Sequence, residues 1–361
     1  MSGQPELSQP TSTDDLEALP KAELHLHLRG AIPGWYLRQQ FRKYRPAEVI
    51  ASAPPKQLAW MLAHPGVRRI VRADDPQHEI DSLFRRGTFQ EFLGAYLFTG
   101  YFVRQVEDFR NLVQAVRSEL RRQNIVYAEV TVSLPEYMQQ GIKLKDLLVV
   151  LAEDPAEPPR VNWIVDPVRS FGPEAAASLV ERILTDRPQS VIGLTLGGAE
   201  HLHPPAPFQR AYQIAREGGL RTTIHAGEAL GPESVWDAVR ILEVERVGHG
   251  VRAVEDSNLV RHLAERGIPL EVCPTSNVCT GIYPSLEEHP VRELFEAGVP
   301  LSVNTDDPSF FQISLARELA NLRNLGFSWP EIGVVADNGF RQAFEPVAAR
   351  TRPGASPGSA S

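Results

Sequence analysis

Apolar residues recur along this chain in two alternating rhythms. Short runs rich in β-branched side chains suit strands. Between them lie longer stretches in which apolar positions return every three or four residues, as in helices. The runs at 22–28 (AELHLHL), 127–133 (YAEVTVS), 162–168 (NWIVDPV), 190–197 (SVIGLTLG), 221–226 (RTTIHA), 246–249 (RVGH), 269–273 (PLEVC) and 300–305 (PLSVNT) predict eight strands. Amphipathic stretches at 174–186, 208–217, 233–243 and 256–266 predict helices between them. Gly-Ile-Pro and Gly-Val-Pro stand just before the last two strands, a helix stop followed by re-entry. Eight such alternations point to an α/β fold, a (β/α)8 TIM-type barrel, with a doubly wound open sheet as the alternative. The first connection differs: residues 30–126 read as a long, mainly helical insertion packing over one end of the barrel. Residues 1–17 and 351–361 are polar or small and Pro/Ser-rich, so they read as tails flanking a single domain over 18–350.

Composition narrows the function classes. Of 361 residues 42% are hydrophobic and 23% charged, which suffices for a large core. A net charge of −8 argues against a general nucleic-acid binder, which needs a basic face for phosphate. No apolar run reaches the length of a membrane span, and the N-terminus lacks the basic start and apolar core of a signal peptide. A cytoplasmic protein with no membrane partner is the expectation, with the oligomeric state left open. Two cysteines exclude a disulfide framework and a Cys-only zinc site.

In a (β/α)8 barrel the chemistry sits at the C-terminal ends of the strands, and there the polar residues gather. His25 and His27 share a strand face, because side chains alternate with a period of two. Two imidazoles converging inward suit Zn2+, and His225 offers a third nitrogen. Glu228 is placed as a fourth ligand or an acid/base. His249, between Gly248 and Gly250, is placed as a general acid or base, since flanking glycines are poor strand material unless something comes close. Asp306 and Asp307 are adjacent and project differently, so one can ligate a metal and the other bind substrate. A second His-x-His, His201 and His203, runs into Pro204 and Pro205 and reads as a loop. His64, His78, His262 and His289 are given no role.

Taken together, LPKAELHLHLRGAI (19–32), YAEVTVS (127–133), VRSFGPE (168–174), GLTLGGAE (193–200), HAGE (225–228), VGHG (247–250), CPTSN (273–277) and NTDDP (304–308) resemble the adenosine deaminase family, in its order. The resemblance implies a barrel with one catalytic Zn2+ per chain, bound by His25, His27, His225 and Asp306. It implies that Glu228 protonates a purine at N1, that His249 orients or deprotonates the attacking water, that Asp307 meets purine N7, and that the Gly198 amide meets N3. The small-molecule partner is then a 6-aminopurine nucleoside, converted to the oxo-purine with release of ammonia.

The chain departs from the family at Arg29, where adenosine deaminases usually carry Asp against the ribose 5′-hydroxyl. Arg29 shares parity with His25 and His27, so it is expected at the mouth, pairing with an anion on the 5′ side of the substrate. Aminodeoxyfutalosine, a menaquinone-route intermediate ending in a benzoate, fits that description. The weaker alternative is an Arg turned to an internal acid, since only five of 37 basic residues are Lys and arginine is common here. Plain adenosine or adenine deaminase is the runner-up function, Gly198 favouring a nucleoside over adenine. Two other classes remain: a two-metal hydrolase, disfavoured because no Lys stands at a predicted strand end, and a non-catalytic purine-binding relative.

Overall fold

A computed structural model describes residues 10–85, 87–153 and 157–346. Nine strand segments run β1 Lys21–His27, β2 Ile125–Val132, β3 Arg160–Val165, β4 Val191–Leu194, β5 Arg221–Thr222, β6 His225–Ala226, β7 Val247–His249, β8 Leu270–Val272 and β9 Leu301–Val303. All neighbours pair in parallel, in the orders β1-β2-β3-β4-β5 and β6-β7-β8-β9. β5 and β6 are halves of one stave. Between them the Thr223 amide donates to the Leu194 carbonyl at 2.9 Å, and the Ile224 carbonyl accepts from the Gly248 amide at 2.7 Å. A parallel bridge from Leu26 to Asp306 joins the first stave to the end of the last. Eight staves therefore close into a barrel, and the open-sheet alternative is set aside.

Parallel strands need crossovers, and the amphipathic stretches supply them as helices Pro173–Thr185, Gln209–Glu217, Pro232–Arg240 and Ser257–Arg266. On β1 the alternation sorts the faces: Ala22 and Leu24 pack outward with Phe340 of the covering helix Trp329–Arg341, while Glu23 and His25 point inward. The interior is polar as well as apolar. Arg246, at the foot of β7 and 2% exposed, lies between Glu129 of β2 and Glu271 of β8. A guanidinium shared by two carboxylates satisfies charges that would otherwise be costly to bury.

The insertion is helical as expected. Its helix Phe89–Gly100 begins at a capping box formed by Thr88 and Glu91. Phe92 and Tyr96 on this helix stack on Phe310 and Phe311, with ring centroids 5.0–5.7 Å apart. Those phenylalanines stand three and four residues after Asp307, on the short helix Pro308–Phe311, so the insertion covers the C-terminal mouth of the barrel.

One boundary is corrected. Residues 13–17, expected in a tail, belong to helix Thr13–Ala18, capped by Ser12. Leu16 is buried, and the Lys21 ammonium donates to the carbonyls of Leu16, Glu17 and Leu19 at the helix end. One well-placed leucine and a capped lysine anchor a segment whose mean composition is polar. Residues 1–9 and the expected tail 351–361 lie outside the described residues. No helix among the described residues is long and apolar enough to cross a membrane.

Candidate active site

Five side chains from four staves meet at the C-terminal end of the barrel. His225 Nε2 lies 3.0 Å from His25 Nε2 and 3.0 Å from His27 Nε2. Asp306 Oδ1 lies 3.1 Å from His27 Nε2 and 3.6 Å from His25 Nε2. Ligand atoms of His25, His225, His249 and Asp306 all fall within 4.8 Å of one another. Imidazole nitrogens that face each other at hydrogen-bond distance cannot both present lone pairs; a ring proton or a metal cation must lie between them. The outer atoms of two of these side chains are already held, the arrangement usual for metal-binding groups. His25 Nδ1 meets Glu271 Oε2 at 2.8 Å, and Asp306 Oδ2 accepts from Ser276 Oγ at 2.6 Å. Asp306 takes a left-handed backbone, φ 62°, which aims its carboxylate inward at a cost in strain. A nitrogen-rich donor set with one carboxylate fits a metal ion.

The electrostatics set neighbouring rings apart. Burial by itself would lower the His25 pKa, but hydrogen bonds that the ring donates to Asp306 and Glu271 outweigh it and push the ring up to about 10. His225 is held well below its usual range by burial and by the neighbouring histidines. Opposed shifts on adjacent groups mark functional sites.

Glu228 lies three residues past His225, on a turn organised by Glu200. The Glu200 carboxylate accepts from the amides of Gly227, Ala229 and Leu230 at 2.7–3.0 Å. Gly227 is required there: its φ is 67° and a Cβ would sit 2.4 Å from Val235 Cγ2. The Glu228 side chain keeps 22% of its surface toward the mouth, and its Oε2 is 3.7 Å from His249 Nε2. Burial, reinforced by the charges of Asp306 and Glu200, pushes its carboxyl up to about 8. Asp307 sits beside it with Oδ1 buried and lacking a hydrogen-bond partner, pushed up to about 7 by burial and by Asp306. Gly30 makes room for it, since a Cβ at 30 would overlap Asp307 Oδ1 at 1.9 Å. Gly198, on the loop after β4 with φ 98°, rests against Val168 and Arg169. Arg169 in turn donates to the His225 and His203 carbonyls.

Arg29 has an internal partner. Its guanidinium is bound to Glu136, on the short helix Leu134–Gln139 after β2. The Arg29 side chain is 7% exposed and lies over Tyr96 at 4.8 Å. Gly100 backs it so closely that a Cβ there would come 2.7 Å from Arg29 Cζ. The internal acid that the alternative foresaw is thus present. Glu136 had no signal in the sequence beyond its place in the first turn of a loop helix. Glu200, Ser276 and Asn277 lie inside family-like motifs but were given no role, and Glu271 was legible only as an acid within an apolar strand. His201 and His203 lie in a loop, and neither belongs to the cluster of candidate ligands.

The adenosine deaminase family model matches residues 65–352. The chain belongs to the adenosine deaminase family. An adenine deaminase of Agrobacterium fabrum is 34% identical to it over 340 residues, covering 92% of this chain and 96% of the relative. An aminodeoxyfutalosine deaminase of Streptomyces avermitilis is 35% identical over 347 residues, covering 93% and 90%. The crystal structure of an adenine deaminase from Arthrobacter aurescens matches this fold with a TM-score of 0.77 at 27% identity, covering 91% of this chain and 94% of that one. This family member is therefore a purine deaminase, a hydrolase acting on C–N bonds, whose His/Asp cluster can hold a metal ion.

Proposed function

We propose that the chain is a Zn2+-dependent hydrolytic deaminase of a 6-aminopurine nucleoside, with one ion per chain held by His25, His27, His225 and Asp306. Water adds at C6, the C6–N bond breaks, and ammonia and the 6-oxo-purine are released. The observation that carries this reading is the convergence of three imidazoles and Asp306 at the barrel mouth, with the further carboxyls of Glu228 and Asp307 beside them. Zn2+, when bound, lowers the pKa of water from about 15.7 to about 7 and so makes hydroxide available at neutral pH.

The protein's own groups do the rest. Attack at C6 breaks the aromaticity of the pyrimidine ring, so N1 must gain a proton as the bond forms. Glu228 is a carboxylic acid near neutrality because it is buried, and it is the donor to N1. Purine N7 carries a lone pair and needs a donor. The unpartnered Asp307 carboxyl, raised toward pH 7, supplies one when protonated. The Gly198 amide is assigned to N3, and His249 Nε2 to the attacking oxygen.

For the substrate we favour a nucleoside with an acid on its 5′ side, aminodeoxyfutalosine being the type case. Arg29 Nε is buried without a partner, so the guanidinium has donors left after Glu136. Arg246 in this same chain serves two carboxylates at once. The Streptomyces relative carries that substrate in its name. The second reading is adenine deaminase, favoured by the Agrobacterium relative and by the neutral Arg29–Glu136 pair. A panel of adenine, adenosine, AMP and aminodeoxyfutalosine compared by kcat/KM decides between them, following the fall in absorbance as the amino group is lost. Adenine as the preferred substrate would overturn the nucleoside reading. Turnover of none, or two metal ions per chain, would overturn the deaminase assignment.

A further inference from the structure

A line of three buried side chains ends on the active site. His289 stands in the loop before helix Val291–Glu296, Asn277 on helix Pro274–Cys279, and His249 at the end of β7. Their exposures are 4%, 0% and 0%. The Val291 amide lies 3.2 Å from His289 Nδ1. His289 Nε2 lies 3.1 Å from Asn277 Oδ1, and Asn277 Nδ2 lies 3.2 Å from His249 Nδ1.

Donor and acceptor roles propagate along this line without ambiguity. A backbone N–H can only donate, so His289 Nδ1 is a lone pair and its ring proton is on Nε2. That N–H needs an acceptor, which turns the Asn277 carbonyl oxygen toward His289 and its amide nitrogen toward His249. The amide N–H then donates to His249 Nδ1, so His249 carries its proton on Nε2. That atom faces the site, buried and unpartnered, 3.7 Å from Glu228 Oε2 and 3.9 Å from Asp306 Oδ2.

We propose that His289 and Asn277 are positioning residues that lock His249 in its Nε2–H tautomer, so that it presents an N–H donor to the reacting oxygen. The consequence is specific. A nitrogen that bears a proton cannot ligate a metal, which leaves His25, His27 and His225 as the nitrogen donors. Nor can it begin as the base, so of the two roles open to His249 the lock selects orientation of the nucleophile. His249 itself is held in a left-handed backbone, φ 59°, and ring orientation and tautomer are thus both imposed from outside the ring. The inference deepens the deaminase reading and rests on it for its chemical meaning, but the tautomer can be observed without turnover.

The test combines imidazole nitrogen NMR with kinetics on the full-length, metal-loaded protein. Expected for the wild type is a His249 resonance pair with a protonated Nε2 and an acceptor Nδ1, assigned by its loss in His249→Gln. Asn277→Asp replaces the donor with an acceptor, which pulls the His249 proton to Nδ1. It should lower kcat by about a hundredfold or more with KM little changed, as wrong-tautomer variants do, and add an ionisation to the pH profile. His289→Leu should lower kcat and mix the tautomers, while His289→Gln, which keeps an N–H donor toward Asn277, should restore most of the rate. If Asn277→Asp does not fold, the His289 pair carries the test. A wild-type His249 protonated on Nδ1 would overturn the inference, and so would Asn277→Asp or His289→Leu with the proton still on Nε2. The expected tautomer in a protein that deaminates no 6-aminopurine would refute the deaminase reading alone.

Discussion

Gly248 offers the sharpest perturbation. A Cβ at this position would sit 2.7 Å from His25 Cε1, 3.1 Å from His25 Nδ1 and 3.1 Å from the Ile224 carbonyl oxygen. Ordinary carbon–carbon contact is about 3.5–4.0 Å, so the overlap with the ring is roughly 1 Å. The Ile224 carbonyl cannot yield, because it accepts the Gly248 amide at 2.7 Å within the barrel wall. The His25 ring resists as well, since Glu271 grips its Nδ1 at 2.8 Å and is itself gripped by Arg246 at 2.6 Å and Thr223 at 3.0 Å. Gly248→Ala should therefore displace the His25 ring, a proposed metal ligand, instead of being absorbed locally. Overpacking of this kind costs about 1–3 kcal/mol of stability. A misplacement near 1 Å at the reacting centre costs about a hundredfold in kcat, and a disturbed ligand shell about 10–100-fold in metal affinity. The assay is urea unfolding, Zn2+ content after dialysis against a competing chelator, and kcat on the preferred 6-aminopurine. Gly267→Ala is the control: its φ is 64° but nothing lies within 4 Å, so it should cost only backbone strain and leave kcat unchanged. Full Zn2+ retention and kcat within about twofold of wild type in Gly248→Ala would refute the placement of His25 at the chemical centre.

Four other outcomes are expected. Glu228→Gln should lower kcat by about 10^2–10^4-fold with little effect on KM. In the wild type the rate should fall as pH rises through about 8, because burial raises this carboxyl from 4.5 to about 8 and the acid form is the active one; a flat profile from pH 6 to 10 would exclude Glu228 as the acid. Arg246→Met leaves Glu129 and Glu271 buried without their cation, and should destabilise the fold by about 3–5 kcal/mol in urea melts. Glu136→Gln frees Arg29, so the ratio of kcat/KM for adenosine 5′-carboxylate over the uncharged 5′-carboxamide should rise about tenfold; an unchanged ratio would place Arg29 out of reach of the substrate's 5′ end.

The reach of sequence reasoning can be followed residue by residue. Strand parity put His25 and His27 on one face, and the barrel rule put His225, Glu228, His249, Asp306 and Asp307 at one end. Both arguments use periodicity, which is a local property of the chain. The glycines around His249 were legible as signs of a close approach, though what approaches Gly248 was not: it is His25, from the far side of the barrel. The helix at 13–18 was missed because one buried leucine does not alter a polar average.

What only the tertiary structure decided is which distant groups meet. Glu271 reaches His25 across 246 positions, and Glu136 reaches Arg29 across 107. Closure and stagger of the barrel create those pairings, and no local pattern encodes them. The same holds for the line from His289 to His249, which needs two loops folded over one mouth. By itself the sequence determined the kind of chemistry, because residue types and their spacing along strands suffice to say that histidines and carboxylates converge. The protonation states and the charge offered to a substrate's 5′ side were left to the fold, because they depend on neighbours a few ångströms away in space and hundreds of residues away in the chain.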